Sequence, residues 1–379
     1  MTATTAIING KIILKDEILE DRILLYNTHI LDIVEDVILS DADNLEIIDA
    51  KGQYVSAGFI DLHIHGSAGV DVMDATPQAL ETLSLVLLQT GTTAFLATTM
   101  TMSSSDIDKA LSNIKKYGDT VSGAKIVGIH LEGPFINASK HGAQDKAYVA
   151  EANFALIADY MDEIKMITLA PEVANNQAFI KKISQEYPHI ILSIGHSSAS
   201  YAQAKEGFAS GISHATHLFN AMNPYHHREP GIVGAVFDSE VSCDVIADLV
   251  HTHPTTLDLV YKVKKDKLML ITDAMRGGCM HEGNYDLGGQ NVQVSHGKAL
   301  LADGTLAGSV LRMNQAMFNM LKHTSMGLVE VVHAVTALPA QKLGLQKGVL
   351  QKGYDADIVI FDEDFRVMSS IIGGLVKYR

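Results

Sequence analysis

Residues 58–66, GFIDLHIHG, form an apolar run that ends in two histidines two positions apart. Side chains along an extended strand alternate between its two faces, so His63 and His65 point to the same side. A histidine pair on one face of a strand is a packing feature, a solvated edge or half of a metal site. Similar apolar runs along the rest of the chain help to decide between these three interpretations of the histidine pair.

Seven further apolar, strand-like runs follow the first one, and several are separated by helical patterns. Fully apolar strands that alternate with helices indicate a parallel sheet covered on both faces. Eight such units predict an α/β protein built as a (β/α)8 TIM-like barrel. The seven runs are 93–100 (TAFLATTM), 125–133 (KIVGIHLEG), 166–172 (MITLAPE), 190–197 (IILSIGHS), 212–219 (ISHATHLF), 243–251 (CDVIADLVH) and 268–275 (LMLITDAM).

Two of the helical patterns between these runs have recognisable starts. Thr76 stands at an N-cap position with Pro77 at the first helical position,. Ser200 and Gln203 have the spacing of a capping box,. Both patterns predict helices that connect consecutive strands.

The two ends of the chain carry short β-rich segments instead. Asn9-Gly10 stands between apolar runs, which is a strong signal for a β-hairpin,. Chain termini often lie close together. We therefore predict a small β-sandwich domain formed from residues 1–54 and 346–379, with the barrel in residues 55–345.

Most of the eight runs end in a potential ligand, acid or base. The carboxyl ends of the strands of a (β/α)8 barrel converge on one mouth, whereas an open doubly wound sheet gathers its site around one switch point. Polar residues at most of the run ends therefore favour the closed barrel. In order they are His63 and His65, Thr98 or Thr99, Glu132, Glu172, His196, His217, His251 and Asp273.

Five of these side chains form a nitrogen-and-oxygen ligand set without thiolate: His63, His65, Glu132, His196 and His217. Such a set suits zinc, ferrous iron, manganese or cobalt, with zinc or iron expected first, and it suffices for one ion or for two that share ligands. A divalent metal lowers the pKa of a bound water from ~15.7 to about 7. Asp273 is placed to act as the acid/base for such a water.

Composition excludes several other functions. The 44 acidic and 29 basic residues give a net charge of −15, which argues against nucleic acid and anionic membranes as partners. Cys243 and Cys279 cannot form a disulfide framework, and neither a signal peptide nor an apolar run of ~18 residues is apparent. We expect a soluble cytoplasmic protein whose substrate, if anionic, is held by local cations.

Several motifs together resemble those of the amidohydrolase superfamily, and within it those of the N-acetylglucosamine-6-phosphate deacetylases. They follow the order of that family from residue 7 to about residue 363, and GIHLEGPF and THLFNAM are the most specific of them. The motifs are AGFIDLHIHG (57–66), GIHLEGPF (128–135), GHSSA (195–199), THLFNAM (216–222), HHREPG (226–231), TDAM (272–275) and KGYDADIVIFD (352–362).

The resemblance implies a hydrolase of amino sugar metabolism that converts N-acetylglucosamine 6-phosphate to glucosamine 6-phosphate and acetate. It implies Glu132, His196 and His217 as principal metal ligands, and His63 and His65 as a pair that some members use for a second metal. Asp273 would be the catalytic acid/base. Residues implied to contact the phosphosugar are Ala143, Asn220, Ala221, Arg228, His251, Leu306, Ala307 and Gly308. In the family the arginine reaches across a dimer interface, so a homodimer is implied.

Two positions depart from the family pattern, and two alternatives stay open. Leu249 stands where glycine is usual and Gln144 where histidine is common, which leaves the preferred acetamido sugar open. One alternative is another amidohydrolase, such as a cyclic amidase, a deaminase or a dipeptidase. Many of those bridge two metals with a carbamylated lysine, and none of the eight runs ends in lysine. The other alternative is a phosphosugar-binding protein without turnover.

Overall fold

The computed structural model describes residues 4–35 and 45–379. Its strands are β1 (Thr4–Ile8), β2 (Lys11–Ile13), β3 (Ile18–Leu19), β4 (Arg22–Tyr26), β5 (Ile30–Glu35), β6 (Leu45–Asp49), β7 (Tyr54–Ala57), β8 (Phe59–Ile64), β9 (Gly66–Ser67), β10 (Val70–Asp71), β11 (Thr92–Thr98), β12 (Lys125–Glu132), β13 (Ile164–Leu169), β14 (Ile191–Ile194), β15 (Ile212–Ala215), β16 (Ser242–Ile246), β17 (Leu268–Ile271), β18 (Gly283–Leu287), β19 (Gln290–Ser295), β20 (Lys298–Leu300), β21 (Ile358–Phe361), β22 (Val367–Ile372) and β23 (Leu375–Tyr378).

The α-helices in the same part of the chain lie mainly between the strands of residues 59–271 and after them. They are α1 (Pro77–Leu87), α2 (Ser104–Tyr117), α3 (Asn176–Glu186), α4 (Tyr201–Ser210), α5 (Gly231–Phe237), α6 (Pro254–Lys264), α7 (Met313–His323), α8 (Leu328–His333) and α9 (Ala337–Leu343). Within residues 4–35 and 45–379, none of these helices has both the length and the apolar character needed to cross a bilayer.

The central feature is an eight-stranded parallel sheet that closes on itself. Strands β8 and β11 to β17 pair in chain order. The first and last strands meet where the N–H of Asp273 donates to the carbonyl of His63 at 2.8 Å and where Ile64 bridges Ala274. Each of the eight runs noted in the sequence supplies one strand, so the predicted (β/α)8 barrel is confirmed.

Two predicted helix starts are also present. The Thr76 hydroxyl accepts a hydrogen bond from the N–H of Ala79 at 3.2 Å, and Pro77 is the first residue of α1. Ser200 and Gln203 form a reciprocal capping box at the start of α4. These caps satisfy N–H groups that the first turn of a helix leaves without partners. They fix the points at which the chain returns along the outside of the barrel.

Strands from both ends of the chain form two small sheets beside the barrel. One has the order β5-β4-β1-β6 and the other β23-β22-β21-β7-β2-β3. Buried residues of both sheets, such as Ile7 and Leu24 of the first and Ile12 and Ile358 of the second, share one core. The predicted β-sandwich is confirmed. The predicted limits at residues 54/55 and 345/346 stay a prediction, and residues 1–3 and 36–44 lie outside the described residues.

The predicted hairpin at Asn9-Gly10 is wrong. The strands before and after it, β1 and β2, belong to different sheets, because β1 pairs with β4 and β6 whereas β2 pairs with β3 and β7. Asn9 adopts a positive φ of 54° as the chain crosses between the sheets. A Cβ atom at Gly10 would lie 2.6 Å from Val55 Cγ2. The glycine lets the chain pass close to Val55 of β7 at a point where the signal suggested a two-residue loop.

A three-stranded antiparallel sheet, β18-β19-β20, follows the last barrel strand and was not anticipated from the sequence. Its apolar face packs on Met100 and Met275 beside the barrel mouth. Leu287 at the end of β18 reaches the cavity at that mouth. The side-chain amide of Gln290 donates to the carbonyl of Ala143, which ties this sheet to the loop that follows β12.

Candidate active site

The predicted ligand side chains meet at the carboxyl ends of the barrel strands. Glu132 lies at the centre, with Oε1 at 3.1 Å from His196 Nε2 and 3.0 Å from His217 Nε2. Its other oxygen, Oε2, lies 3.3 Å from His65 Nε2, and His63 Nε2 is 3.5 Å from Oε1. Two possible metal-binding groups therefore share Glu132: one with His63 and His65, the other with His196 and His217.

These separations suit a divalent cation between the ligand atoms. Bonds of about 2.0–2.2 Å from a metal to nitrogen or oxygen place neighbouring ligand atoms of a tetrahedral site about 3.4 Å apart. The Nε2 atoms of His196 and His217 are 3.2 Å apart, and those of His63 and His65 are 3.1 Å apart. Nitrogen atoms of paired imidazoles that face each other around a carboxylate need a cation or protons between them. The donor set fits a metal centre.

Backbone carbonyls orient two of these imidazoles for such a role. Nδ1 of His196 lies 2.9 Å from the carbonyl of Lys140, and Nδ1 of His65 lies 3.3 Å from the carbonyl of Thr98. A carbonyl accepts only, so Nδ1 carries the proton and Nε2 is left to face the cluster. A hydrogen bond of this kind fixes the tautomer of a metal-binding histidine.

The backbone around His217 is held by a buried aspartate–histidine pair. His217 has a φ of 32°, a strained conformation for a residue other than glycine,. Its N–H donates to the carboxylate of Asp244, whose other oxygen lies 2.8 Å from His214 Nε2. Asp244 and His214 are completely buried. The pair therefore secures an unfavourable turn that aims the imidazole of His217 at Glu132.

The charges of the cluster are strongly coupled. Burial opposes ionisation of Glu132, but His63 and His196 hold the pKa of its carboxyl well below the usual range,. Burial likewise opposes protonation of His217, yet the hydrogen bond with Glu132 raises the pKa of His217 to about 9. The carboxylate therefore attracts positive charge and favours the protonated forms of His65 and His217.

Asp273 follows β17 and lies on the wall of the same cavity. Its Oδ1 is 3.5 Å from His63 Nε2 and 3.4 Å from His65 Nε2. Burial favours the neutral acid, but the charge of His63 and the hydrogen bond with His65 lower the pKa of Asp273 to about 2. The side chain is therefore ionised at neutral pH and able to accept a proton beside the ligand cluster.

The cavity contains most of the residues implied to contact the substrate. Those that line it are Ala143, Asn220, Ala221, His251, Leu306 and Gly308. Ala307 does not line it, because its side chain is buried in the small core beneath the β18-β19-β20 sheet. Arg228 lies outside the cavity as well, on the exposed loop that precedes α5.

Asp248 orients His251 at the edge of the cavity. Its Oδ2 lies 2.7 Å from His251 Nδ1, and its Oδ1 accepts hydrogen bonds from the N–H groups of Val250 and His251 at 2.8 Å. The proton on Nδ1 therefore faces Asp248 and Nε2 is the ring nitrogen left for a ligand. Leu249, between them, has a φ of 65°. A left-handed backbone explains why glycine serves well at this position.

Backbone strain at Leu249 leads to a stability prediction. We expect Leu249→Gly to be more stable than Leu249→Ala by about 1 kcal/mol, because only alanine retains a Cβ atom in the left-handed conformation. Both variants remove the same apolar side chain, so their difference isolates the backbone. Denaturant unfolding of the two proteins measures it. An alanine variant as stable as the glycine variant would contradict the strain.

Several residues of the site were missed by sequence reasoning. Met100, Leu287 and Thr305 line the cavity although no motif marks them, and Gln144, noted only as a departure from the family pattern, lines it as well. Contacts of this kind depend on the path of loops rather than on spacing along the chain. The reverse also occurs: Glu172, at a strand end, binds the hydroxyl of Ser197 at 2.6 Å and holds a loop outside the cluster.

The barrel and the cluster at its mouth define a class, the hydrolases that activate water with a divalent metal at the end of a (β/α)8 barrel. The amidohydrolase family model matches residues 54–377. The N-acetylglucosamine-6-phosphate deacetylase of Lysinibacillus sphaericus is 40% identical over 346 residues, with 89% of each chain covered. The N-acetylgalactosamine-6-phosphate deacetylase of Escherichia coli O157:H7 is 34% identical, covering 87% of this chain and 89% of that relative.

Solved structures agree with these relatives. The crystal structure of N-acetylglucosamine-6-phosphate deacetylase from Pasteurella multocida superimposes with a TM-score of 0.94 at 30% identity, covering 99% of this chain and 100% of that chain. The chain belongs to the amidohydrolase family and, within it, to the N-acetylglucosamine-6-phosphate deacetylases.

Proposed function

We propose that the protein hydrolyses the acetamide of N-acetylglucosamine 6-phosphate, releasing acetate and glucosamine 6-phosphate. The observation that carries this proposal is the position of Asp273, an ionised carboxylate on the wall of the cavity, 3.4 Å from His65 in the ligand cluster. A cleaved amide requires both an activated water and a proton for the leaving amine. The names of the relatives supply the substrate.

The residues proposed to hold the cofactor are His63, His65, Glu132, His196 and His217. We propose one or two divalent cations, with zinc or iron first, because the ligands are imidazole and carboxylate without thiolate. Such a cation supplies Lewis acidity, which makes water nucleophilic at neutral pH and polarises a carbonyl group.

Four side chains of the protein then act on the substrate or enclose it. Asp273 accepts the proton of the attacking water and returns it to the departing nitrogen, so that the amine leaves in neutral form. His251, oriented by Asp248, offers Nε2 to the acetamide or to the sugar. Leu287 and Met100 form an apolar wall that keeps bulk water from part of the cavity.

The phosphate group requires a cation that the cavity does not contain. Among residues 4–35 and 45–379, no lysine or arginine lines it. Arg228 lies on an exposed loop of the same chain. We therefore propose a homodimer in which Arg228 of one chain binds the phosphate held by the other, with two N–H groups of the guanidinium donating to phosphate oxygens.

A kinetic prediction follows for Arg228. We expect Arg228→Ala to raise KM for the phosphosugar about 10- to 100-fold, which is the effect of losing one charge-assisted interaction of ~1.5–3 kcal/mol. Hydrolysis of unphosphorylated N-acetylglucosamine should not change. Arg366→Ala, an exposed arginine of the small sheets, is the matched control. Equal KM values for parent and Arg228→Ala would contradict the assignment.

The test of the function itself is acetate release from N-acetylglucosamine 6-phosphate and its galactosamine epimer, with and without a chelator. We expect turnover of the glucosamine compound, loss of it on chelation and recovery with added divalent metal. Preference for the galactosamine compound would move the protein to the other specificity found among its relatives. Full activity in a metal-free preparation would contradict the proposal.

An acidic chain with two free cysteines favours the cytoplasm as its location,.

A further inference from the structure

Gln144 is a buried residue that connects three parts of the site. It lies on the loop after β12, two positions beyond Gly142, and only 4% of it is exposed. Its Oε1 accepts a hydrogen bond from the N–H of Thr101 at 2.8 Å. Its Nε2 donates to Glu132 Oε2 at 2.9 Å. Because the N–H of Thr101 can only donate, the amide is oriented with its oxygen toward Thr101 and its NH₂ group toward Glu132.

The side-chain amide of Gln144 hydrogen-bonds to one oxygen of the central carboxylate, Glu132 Oε2. A carboxylate oxygen has two lone pairs. One lone pair of Glu132 Oε2 is taken by Gln144, and the same oxygen lies 3.3 Å from His65 Nε2. The other oxygen, Oε1, is turned to His196 and His217 at 3.1 and 3.0 Å. Gln144 therefore holds Oε2 beside His65, while Oε1 faces His196 and His217 and lies 3.5 Å from His63 Nε2.

We propose that Gln144 is a positioning residue that holds Glu132 as a bridge between two cation positions and so determines whether the second ion is retained. The first position is bounded by His196 and His217, and the second by His63 and His65. The inference rests on the proposed function only in that the same cluster holds divalent cations.

Without Gln144 the carboxylate loses the hydrogen bond that fixes the direction of Oε2. The terminal torsion of a glutamate side chain is soft, so the group can rotate until both oxygens face one ion. The carboxylate would then be free to offer both oxygens to an ion held by His196 and His217, which would be retained. The position beside His63 and His65 loses its shared ligand. Removal of such an outer hydrogen bond lowers metal affinity about 10- to 100-fold.

The experiment is a cobalt titration of the full-length, chelator-stripped protein, followed by visible absorption and by metal content after gel filtration. We expect two successive dissociation constants for the parent. Gln144→Met should raise the second about 10- to 100-fold and leave the first unchanged. Gln144→Asn, whose side chain is one methylene too short to reach both partners, should do the same, so that a folding defect in either variant does not decide the result.

The matched control is Gln290→Met, a change of the same type. Gln290 anchors the same loop through the carbonyl of Ala143 but does not contact Glu132. We expect its second constant to equal that of the parent. Three results would overturn the inference. The second dissociation constant could rise as much in Gln290→Met as in Gln144→Met. In Gln144→Met, both constants could rise equally, or neither could change. A parent that binds one ion would overturn it as well, although a single-ion protein that still releases acetate leaves the proposed function intact.

Discussion

Acetate release is expected to slow by about 10²- to 10⁴-fold when Asp273 is replaced by asparagine, which is the usual contribution of a general acid or base. Asparagine has nearly the same shape, so the cavity should be preserved. It cannot accept the proton of the attacking water, whereas the carboxylate, with its pKa lowered to about 2, is ionised at neutral pH. Turnover is therefore lost at the chemical step rather than at binding.

The kinetic constants distinguish this role from that of a ligand. We expect kcat to fall while metal content and calorimetric binding of the phosphosugar stay close to those of the parent. Asp266→Asn, at an exposed carboxylate in the turn after α6, is the control and should be unaffected. Near-normal acetate release from the Asp273 variant would remove this residue from the proton transfer. Simultaneous loss of metal would make it a ligand instead.

The barrel and its central cluster could be predicted because both depend on local patterns. Each apolar run had the length of one strand, and in a parallel barrel all carboxyl ends lie on one side. Residues as distant in sequence as His63 and His217 could therefore be placed together without knowledge of the loops. Their Nε2 atoms indeed face the same carboxylate, at 3.5 and 3.0 Å from Glu132 Oε1.

What could not be predicted depends on the paths of loops and on sheet partners. Gln144 reaches Glu132 because the loop after β12 folds back over the strand end. Asn9-Gly10 looks like a hairpin until the two flanking strands are seen in different sheets. The expected role of Arg228 came from the resemblance to the family and not from residue spacing, because its exposed loop lies outside the cavity of its own chain. Spacing specifies strand ends, and tertiary packing specifies the rest.

Glu132 is the side chain that both metal-binding groups share, so its replacement should lower metal content more than replacement of a single histidine. We expect Glu132→Gln to lower kcat/KM at least about 10³-fold, which is about 4 kcal/mol of transition-state stabilisation. Glutamine carries no charge, and only its oxygen can bind a cation. It can therefore serve one group of histidines at most, and neither group retains the negative charge that offsets a divalent ion.

His65→Ala provides the matched comparison. This variant keeps Glu132, His196 and His217 together, so one ion should remain, whereas Glu132→Gln should retain none after gel filtration. Melting temperatures report the same difference independently of activity. A bound ion at 100 times its Kd stabilises the folded state by about 2.7 kcal/mol. A chelator should therefore lower the melting temperature of the parent and of His65→Ala but leave that of Glu132→Gln unchanged.

The alternative outcome is equally specific. If Glu132→Gln retained metal and melted lower with chelator, then histidines alone would hold the ion and the carboxylate would not be a ligand. Glu132 would then be a buried charge that only balances protons on His65 and His217; against burial, hydrogen bonds with Asp273 and Glu132 raise the pKa of His65, and the one with Glu132 raises the pKa of His217. Such a charge cannot be replaced by a neutral amide without those histidines losing their protons, so the pH dependence of unfolding would change where metal content did not.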